Sequence, residues 1–292
     1  MILITGAAGK TGKAILNTLT RRGIRVRALV RSAQQQETLK RLGAKDVMVG
    51  ELRDPESLQG AMQDISKIYY ICPNIAPDEV AIGLSLIDLA NRNGVTRFVY
   101  HSVLHPQVEA MPHHWQKMRM EEKLFESGLD FTILQPCAYM QNILQNQKSI
   151  IDDGVYAVPY ATSSRISIVD LEDVAEVAAN VLSQLNHKNA IYELAGPQPL
   201  SQDEVAEVYT TALEKPVKAI CLDRDQWAAN MRAGGMAEFE IDVLRKMFEY
   251  YENFGLVGNP LILSTLLNRP PATFAAFVKN QLHAHFGSKR PL

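Results

Sequence analysis

The chain has 292 residues, 47% of them hydrophobic and 21% charged, which is globular composition and excludes disorder as its main state. Thirty basic against 32 acidic side chains leave a formal charge of -2, without the basic excess that proteins binding duplex nucleic acid through its phosphates usually show. Three widely spaced cysteines, Cys72, Cys137 and Cys221, form no C-x-x-C pair and argue against a disulfide scaffold or zinc ribbon. The apolar runs fall far short of the ~20 residues of a membrane helix, and no signal peptide precedes M-I-L-I-T-G. A cytoplasmic α/β protein is the expectation.

In chain order, residues 1–5 read as a buried strand, 12–22 as an amphipathic helix and 25–31 as a second strand. A helix over 33–42 stops at Gly43, and 46–49 is a third strand. Asp54 caps a short helix over 55–62 that has Pro55 at its first position. Strands over 67–72, 97–102 and 131–134 then alternate with helices over 78–93 and 115–127. This alternation predicts parallel β-α-β units, that is, a doubly wound Rossmann sheet. After Pro136 come short extended pieces at 154–159 and 163–167, a helix over 169–184 and a further strand at 190–194. Helices dominate from Ser201. The expected organisation is an NAD(P)-binding domain over 1–153 and a smaller, mostly helical substrate domain over 154–292, with 166–186 packing back on the first sheet. With no linker in sight, the C-terminal portion is expected to pack against that sheet.

The stretch I-T-G-A-A-G-K-T-G at 4–12 follows a strand and opens a helix. Gly6 permits a sharp turn, Gly9 lets the backbone approach a pyrophosphate, and Gly12 lets helix and strand pack closely. The helix N-terminus, with Lys10 and Thr11 in its first turn, offers free N–H groups and partial positive charge. An NAD-selective site would carry an acid about 20 residues past this loop. Residues 25–36 contain none; Arg31 and Ser32 stand there instead, suited to a 2′-phosphate. The expected cofactor is therefore NADP(H).

These residues resemble the NmrA-like branch of the atypical short-chain dehydrogenases/reductases. The resemblance rests also on V-R-A-L-V-R-S at 26–32, V-G-E-L-R-D-P-E-S-L at 49–58, S-G-L-D-F-T-I-L-Q-P at 127–136 and P-P-A-T-F-A-A-F-V at 270–278. It implies an NADP-preferring Rossmann domain with a smaller domain over the nicotinamide end. By the same likeness Glu51 and Leu52 lie beside the adenine, where Asp-Leu is commoner. Cys72, Pro73 and Asn74 line the cofactor groove, and Pro136 to Asn142 lie between nicotinamide and substrate.

A typical short-chain dehydrogenase uses Ser, Tyr and Lys, the last two as Y-x-x-x-K. Here Ser102 ends the fifth strand, and His113 stands four residues before Lys117, on one helical face, where the tyrosine would be. Histidine can donate a proton near neutral pH; the alternative for His113 is a polar helix-start residue. Lys117 is expected on the ribose or carboxamide. Tyr139, Met140 and Asn142 are the candidate substrate contacts, with ordinary core packing the alternative for the first two. His101, His105, His113 and His114 crowd one segment, but nearby acids are sparse and no metal is expected. Two functions follow. One is an NADPH-dependent reductase of a quinone or small carbonyl compound. The other, implied by the resemblance, is a non-catalytic NADP(H)-binding redox sensor that acts through a protein partner. Neither involves direct nucleic-acid binding.

Overall fold

The structure is a computed structural model that describes residues 1–73 and 75–287. From the N-terminus run β1 (Ile2–Ile4), α1 (Lys10–Arg21), β2 (Val26–Val30), α2 (Gln36–Arg41), β3 (Asp46–Val49), α3 (Pro55–Ala61) and β4 (Lys67–Tyr70). Next are α4 (Glu79–Arg92), β5 (Arg97–His101), α5 (Pro112–Phe125), β6 (Phe131–Pro136), β7 (Ala138–Tyr139) and α6 (Gln147–Asp153). Then come β8 (Val155–Val158), β9 (Ile166–Val169), α7 (Leu171–Ser183), β10 (Ala190–Leu194) and β11 (Pro199–Leu200). The chain closes with α8 (Gln202–Leu213), β12 (Lys218–Cys221), α9 (Arg224–Ala233), α10 (Glu238–Phe254), α11 (Leu261–Leu267) and α12 (Phe274–Gly287).

The chain folds into two compact units. The first comprises Met1–Glu109, His113–Pro136 and Leu171–Glu193; the second comprises Ala110–Pro112, Cys137–Asp170 and Leu194–Leu292. A seven-stranded sheet of order β10-β6-β5-β4-β1-β2-β3 organises the first. Strand order reverses between β1 and β4, so this is a Rossmann sheet whose ligand crevice opens at the carboxyl ends of those strands. Every residue of β1, β2 and β5 is buried, as expected for strands covered by helices on both faces.

Burial on both faces brings charge inside, and each charge is matched. Arg27 of β2 pairs through Nε with Asp46 (2.7 Å) and donates through Nη1 to the carbonyls of Ala61 and Gln63. Arg97 of β5 donates to the carbonyls of Val181 (2.7 Å) and Gln184 (2.5 Å), so a strand residue caps the C-terminus of α7. On the opposite side α7 packs on α1, with Arg22 Nη1 donating to Asn180. The predicted sixth strand gains a neighbour: Asn189 N–H bonds to the Phe131 carbonyl, and β10 becomes the seventh strand.

The second unit has its own small sheets. β9 pairs with β11 antiparallel and with β7 parallel, while β8 pairs with β12 in parallel. Trp227, Ala228, Ile241 and Phe248 form a core between α9 and α10. Of the boundaries that differ from the sequence expectation, two have a plain local cause. Ser164 N–H bonds to the Ala161 carbonyl, making 161–164 a turn, so the strand expected at 163–167 starts at Ile166. The helix expected from Trp115 starts at Pro112, because proline is favourable in a first turn. Among the described residues no helix is long and apolar enough to cross a membrane.

Candidate functional site

The carboxyl end of β1 leads into the glycine loop. Thr5 Oγ1 donates to the Ile71 carbonyl and accepts from the Ile71 N–H, which pins the loop to the exit of β4. Gly6 has φ +58°, a conformation that glycine adopts without strain. A Cβ on Gly12 would lie 2.4 Å from the Gly6 carbonyl oxygen and 2.6 Å from Ala7 Cα, so this glycine is required by the turn itself. Gly9 differs. A Cβ there would meet only the Gly6 oxygen, at 3.2 Å, so its own fold makes a smaller demand for glycine. It is the N-cap of α1, extended, with no side-chain cap and no acid in the first turn where Lys10 and Thr11 sit. That open cradle fits a phosphate group.

Arg31 and Ser32 follow the last residue of β2. Arg31 is exposed, and among the described residues no carboxylate pairs with it. After β3, Leu52 is buried, and Glu51 accepts weakly from the Arg53 N–H (3.4 Å). Arg53 in turn grips Asp78 with a two-pronged bond of 2.6 and 2.8 Å, tying this loop to the start of α4. Past β4, Cys72 is buried, and burial, reinforced by Glu79, pushes its thiol up to about 12. Pro73 is half-buried, and Asn74 lies outside the described residues.

Ser102, His113 and Lys117 each meet a different environment. Ser102, next after β5, is buried and donates its hydroxyl to Glu121 Oε1 at 2.5 Å. Gln135 Nε2 donates to both oxygens of the same carboxylate, at 2.9 and 3.0 Å. Lys117 pairs with Glu79 at 2.8 Å, and the same Glu79 oxygen accepts from Tyr100 at 2.6 Å. Burial raises the Glu121 carboxyl, with Ser102, Gln135 and Lys117 opposing. His113 lies one turn before Lys117 on α5, as its spacing predicted, but its Nδ1 is buried without a partner among the described residues. Burial, with His114 and Lys117 adding, pushes its imidazole down to about 3. Burial thus favours the uncharged ring, which weighs towards the second of the two readings of His113, a helix-start residue.

The other histidines turn to separate partners, His101 to the Tyr69 hydroxyl at 2.6 Å and His114 to the His105 carbonyl at 3.3 Å. Glu79, Glu121 and Gln135 were not singled out from the sequence. Only Glu121 left a signal there, four residues after Lys117 on the same helix face.

Pro136 closes β6, its carbonyl accepting from the Leu104 N–H. In the second unit Tyr139 is half-buried in β7, Met140 is buried and Asn142 is exposed. Between them Gln141 donates to Asp170 at 2.7 Å, which fixes that turn. Burial pushes the Cys137 thiol up to about 12, leaving it inert at neutral pH.

The chain was compared with known proteins. The NmrA-like family profile matches residues 1–272. An NAD(P)H azoreductase of Xenophilus azovorans is 30% identical over 281 residues, covering 96% of this chain and 97% of that protein. Quinone oxidoreductase 2 of Escherichia coli is 26% identical over 282 residues, covering 96% and 98%. Among solved structures, an NADPH-dependent quinone oxidoreductase of Escherichia coli complexed with NADPH superposes with a TM-score of 0.84 at 26% identity, covering 97% of this chain and all of that one. A Citrobacter triphenylmethane reductase complexed with NADP(H) shares the fold at 21% identity, with a TM-score of 0.84 over 96% of this chain and 99% of that one. With the profile spanning both compact units, this chain belongs to the NmrA-like family.

Proposed function

We propose that the protein is an NADPH-dependent oxidoreductase that reduces a quinone or a small carbonyl compound. One observation carries the reading: past the carboxyl ends of strands of one parallel sheet lie an open glycine cradle after β1 and, after β2, an Arg31 that no carboxylate of the described residues pairs with. Gly6, Gly9, Lys10, Thr11 and Gly12 are assigned to the pyrophosphate, and Arg31 and Ser32 to the 2′-phosphate. Glu51 and Leu52 are assigned to the adenine, and Cys72, Pro73, Asn74 and Pro136 to the groove beyond it. Lys117 takes the ribose or carboxamide; Tyr139, Met140 and Asn142 take the substrate. The relatives named NAD(P)H azoreductase and quinone oxidoreductase support the same chemistry.

Bound NADPH supplies a hydride, and one proton from solvent completes reduction of a quinone to its hydroquinone. The protein's own donors favour such a substrate. His113 is neutral and the Ser102 hydrogen is committed to Glu121, so little acid is at hand to polarise an isolated ketone. A quinone needs less help, because its reduced form is a stabilised, acidic hydroquinone. The same shortage of donors favours a second reading, a non-catalytic NADP(H) sensor acting through a protein partner. Stopped-flow and steady-state NADPH oxidation with naphthoquinones decides between them. The first reading expects turnover with quinones and far slower turnover with simple ketones. Tight NADPH binding with no turnover of either class leaves the sensor reading.

A further inference from the structure

We propose that the groove between α8 and α12, within the second unit, docks a second copy of this chain. The pairing is twofold and sets Lys279 of each chain against Glu207 of the other. The groove holds about 930 Å³ and is bounded by those two helices and by Leu200 of β11. Such pairing does not depend on what the strand ends of the first unit bind.

Each of the two helices has an anchoring face and an open one. α12 is held in its unit by Phe274, Phe277 and Val278, all buried, and Phe274 meets Tyr209 of α8 with ring centroids 5.9 Å apart. Ala275, Lys279, Leu282 and Phe286 recur at spacings of four, three and four residues, so they share a second face, and that face lines the groove. α8 divides in the same way: Val205, Ala206 and Tyr209 are buried, whereas Glu207, Val208 and Ala212 line the groove. Ala212 and Ala275 are exposed, and Phe286 is 46% exposed, so apolar wall stands open to solvent. From Ala275 to Phe286 that wall runs about 16 Å, at ~1.5 Å per residue. A small-molecule pocket encloses most of its guest. An open trench between two helices fits a helical surface instead.

The charges on the trench select the partner. Glu204 is committed to Arg165 at 3.1 Å. Glu207 and Lys279 line the same groove from different helices, and among the described residues neither forms an ion pair. A twofold interface brings one patch against itself, so the patch must hold both members of every charge pair. This patch does, with one uncommitted anion on α8 and one uncommitted cation on α12 beside an apolar stripe. Facing its copy, each Lys279 meets a Glu207, and the two stripes leave water together.

Sedimentation equilibrium of the full-length protein at about 100 μM, ample for a micromolar association, should give twice the mass of one chain. Because the twofold axis repeats every contact, Lys279→Glu puts two like-charge pairs into the interface, and Glu207→Lys does the same. Either substitution should raise the dimer Kd about tenfold or more. Mixed in equal amounts, the two variants should form a heterodimer of near-original affinity, because every facing pair again has opposite signs. Both substitutions in one chain should restore the homodimer for the same reason. A chain that stays monomeric at that concentration overturns the proposal and leaves the groove to a small apolar ligand or another protein's helix. A dimer indifferent to both charge reversals, or one broken by them and not restored by mixing, overturns it as well.

Discussion

Among the described residues no carboxylate pairs with Arg31, which stands where an NAD-selective protein would place an acid. Calorimetry should therefore show NADPH bound more tightly than NADH by about 1–3 kcal/mol, the range for a charge-assisted hydrogen bond. Arg31→Asp should erase or invert that difference; equal affinities in the unaltered protein would contradict the assignment. His113 makes the opposite kind of prediction. With its imidazole pushed down to about 3, no protonation of this ring occurs between pH 5 and 9 to shape a rate profile. His113→Phe should lower quinone turnover by less than about tenfold, against the 10²-fold or more expected of a general acid. A rate that falls a hundredfold in that variant would show the ring acting as the acid. Identity of residue was legible in the sequence, but environment was not. The H-x-x-x-K spacing located His113 and Lys117 on one face, yet nothing local showed that one ring would be desolvated and the other side chain paired with Glu79.

In the α1 entry loop, Gly9 and Gly12 separate folding from binding. Gly12→Ala drives a methyl into the Gly6 carbonyl and Ala7 backbone, and should cost about 1–3 kcal/mol or more in denaturant unfolding. Gly9→Ala should leave the midpoint nearly unchanged while weakening NADPH, because the methyl occupies the ligand's approach; the reverse pattern would refute the cradle. The histidines of β5 and α5 yield a pH prediction. Burial holds His101 and His113 to about 3 and His114 to about 4, all below the ordinary value. The unfolded chain takes up protons there that the folded chain does not. Stability is thus unaffected by these groups above about pH 7 and is lost as pH falls from about 6.5 towards 4. The slope is about 1.4 kcal/mol per pH unit for each ring, roughly 4 for the three. Glu121, raised by burial, works in the opposite sense. Urea midpoints at pH 7.5 and 5.5 test this, and a flat response would contradict the burial of these rings. Elements whose burial is periodic were readable: β1 to β6 and the helices between them follow their apolar runs and glycine stops. The two-residue β7 and β11 were not, since a pair of residues has no period and exists only because β9 pairs with each. The four-residue β12, K-A-I-C, stayed hidden in a helix-rich stretch for the same reason, because β8 defines it.

For the whole molecule, the consequential feature is that Leu171–Glu193 belongs with the N-terminal sheet although other residues intervene. A fragment of residues 1–153 would leave the Arg97 guanidinium without the Val181 and Gln184 carbonyls and Lys67 without that of Leu182. Its α1 would lose α7, and β6 would lose β10. Such a fragment should show no cooperative urea transition by circular dichroism, and a sharp transition would refute this dependence. The same arrangement bears on biosynthesis. Pro136 ends β6 and Leu194 ends β10, 58 positions later by subtraction of their numbers. At roughly 5–20 residues per second of translation, the nascent sheet waits roughly 3–12 s for its last strand. During that interval an unpaired strand edge and a guanidinium destined for burial face solvent. The ribosome-bound chain is then an aggregation hazard and a natural client for holding chaperones, a vulnerability that ends only when translation passes β10.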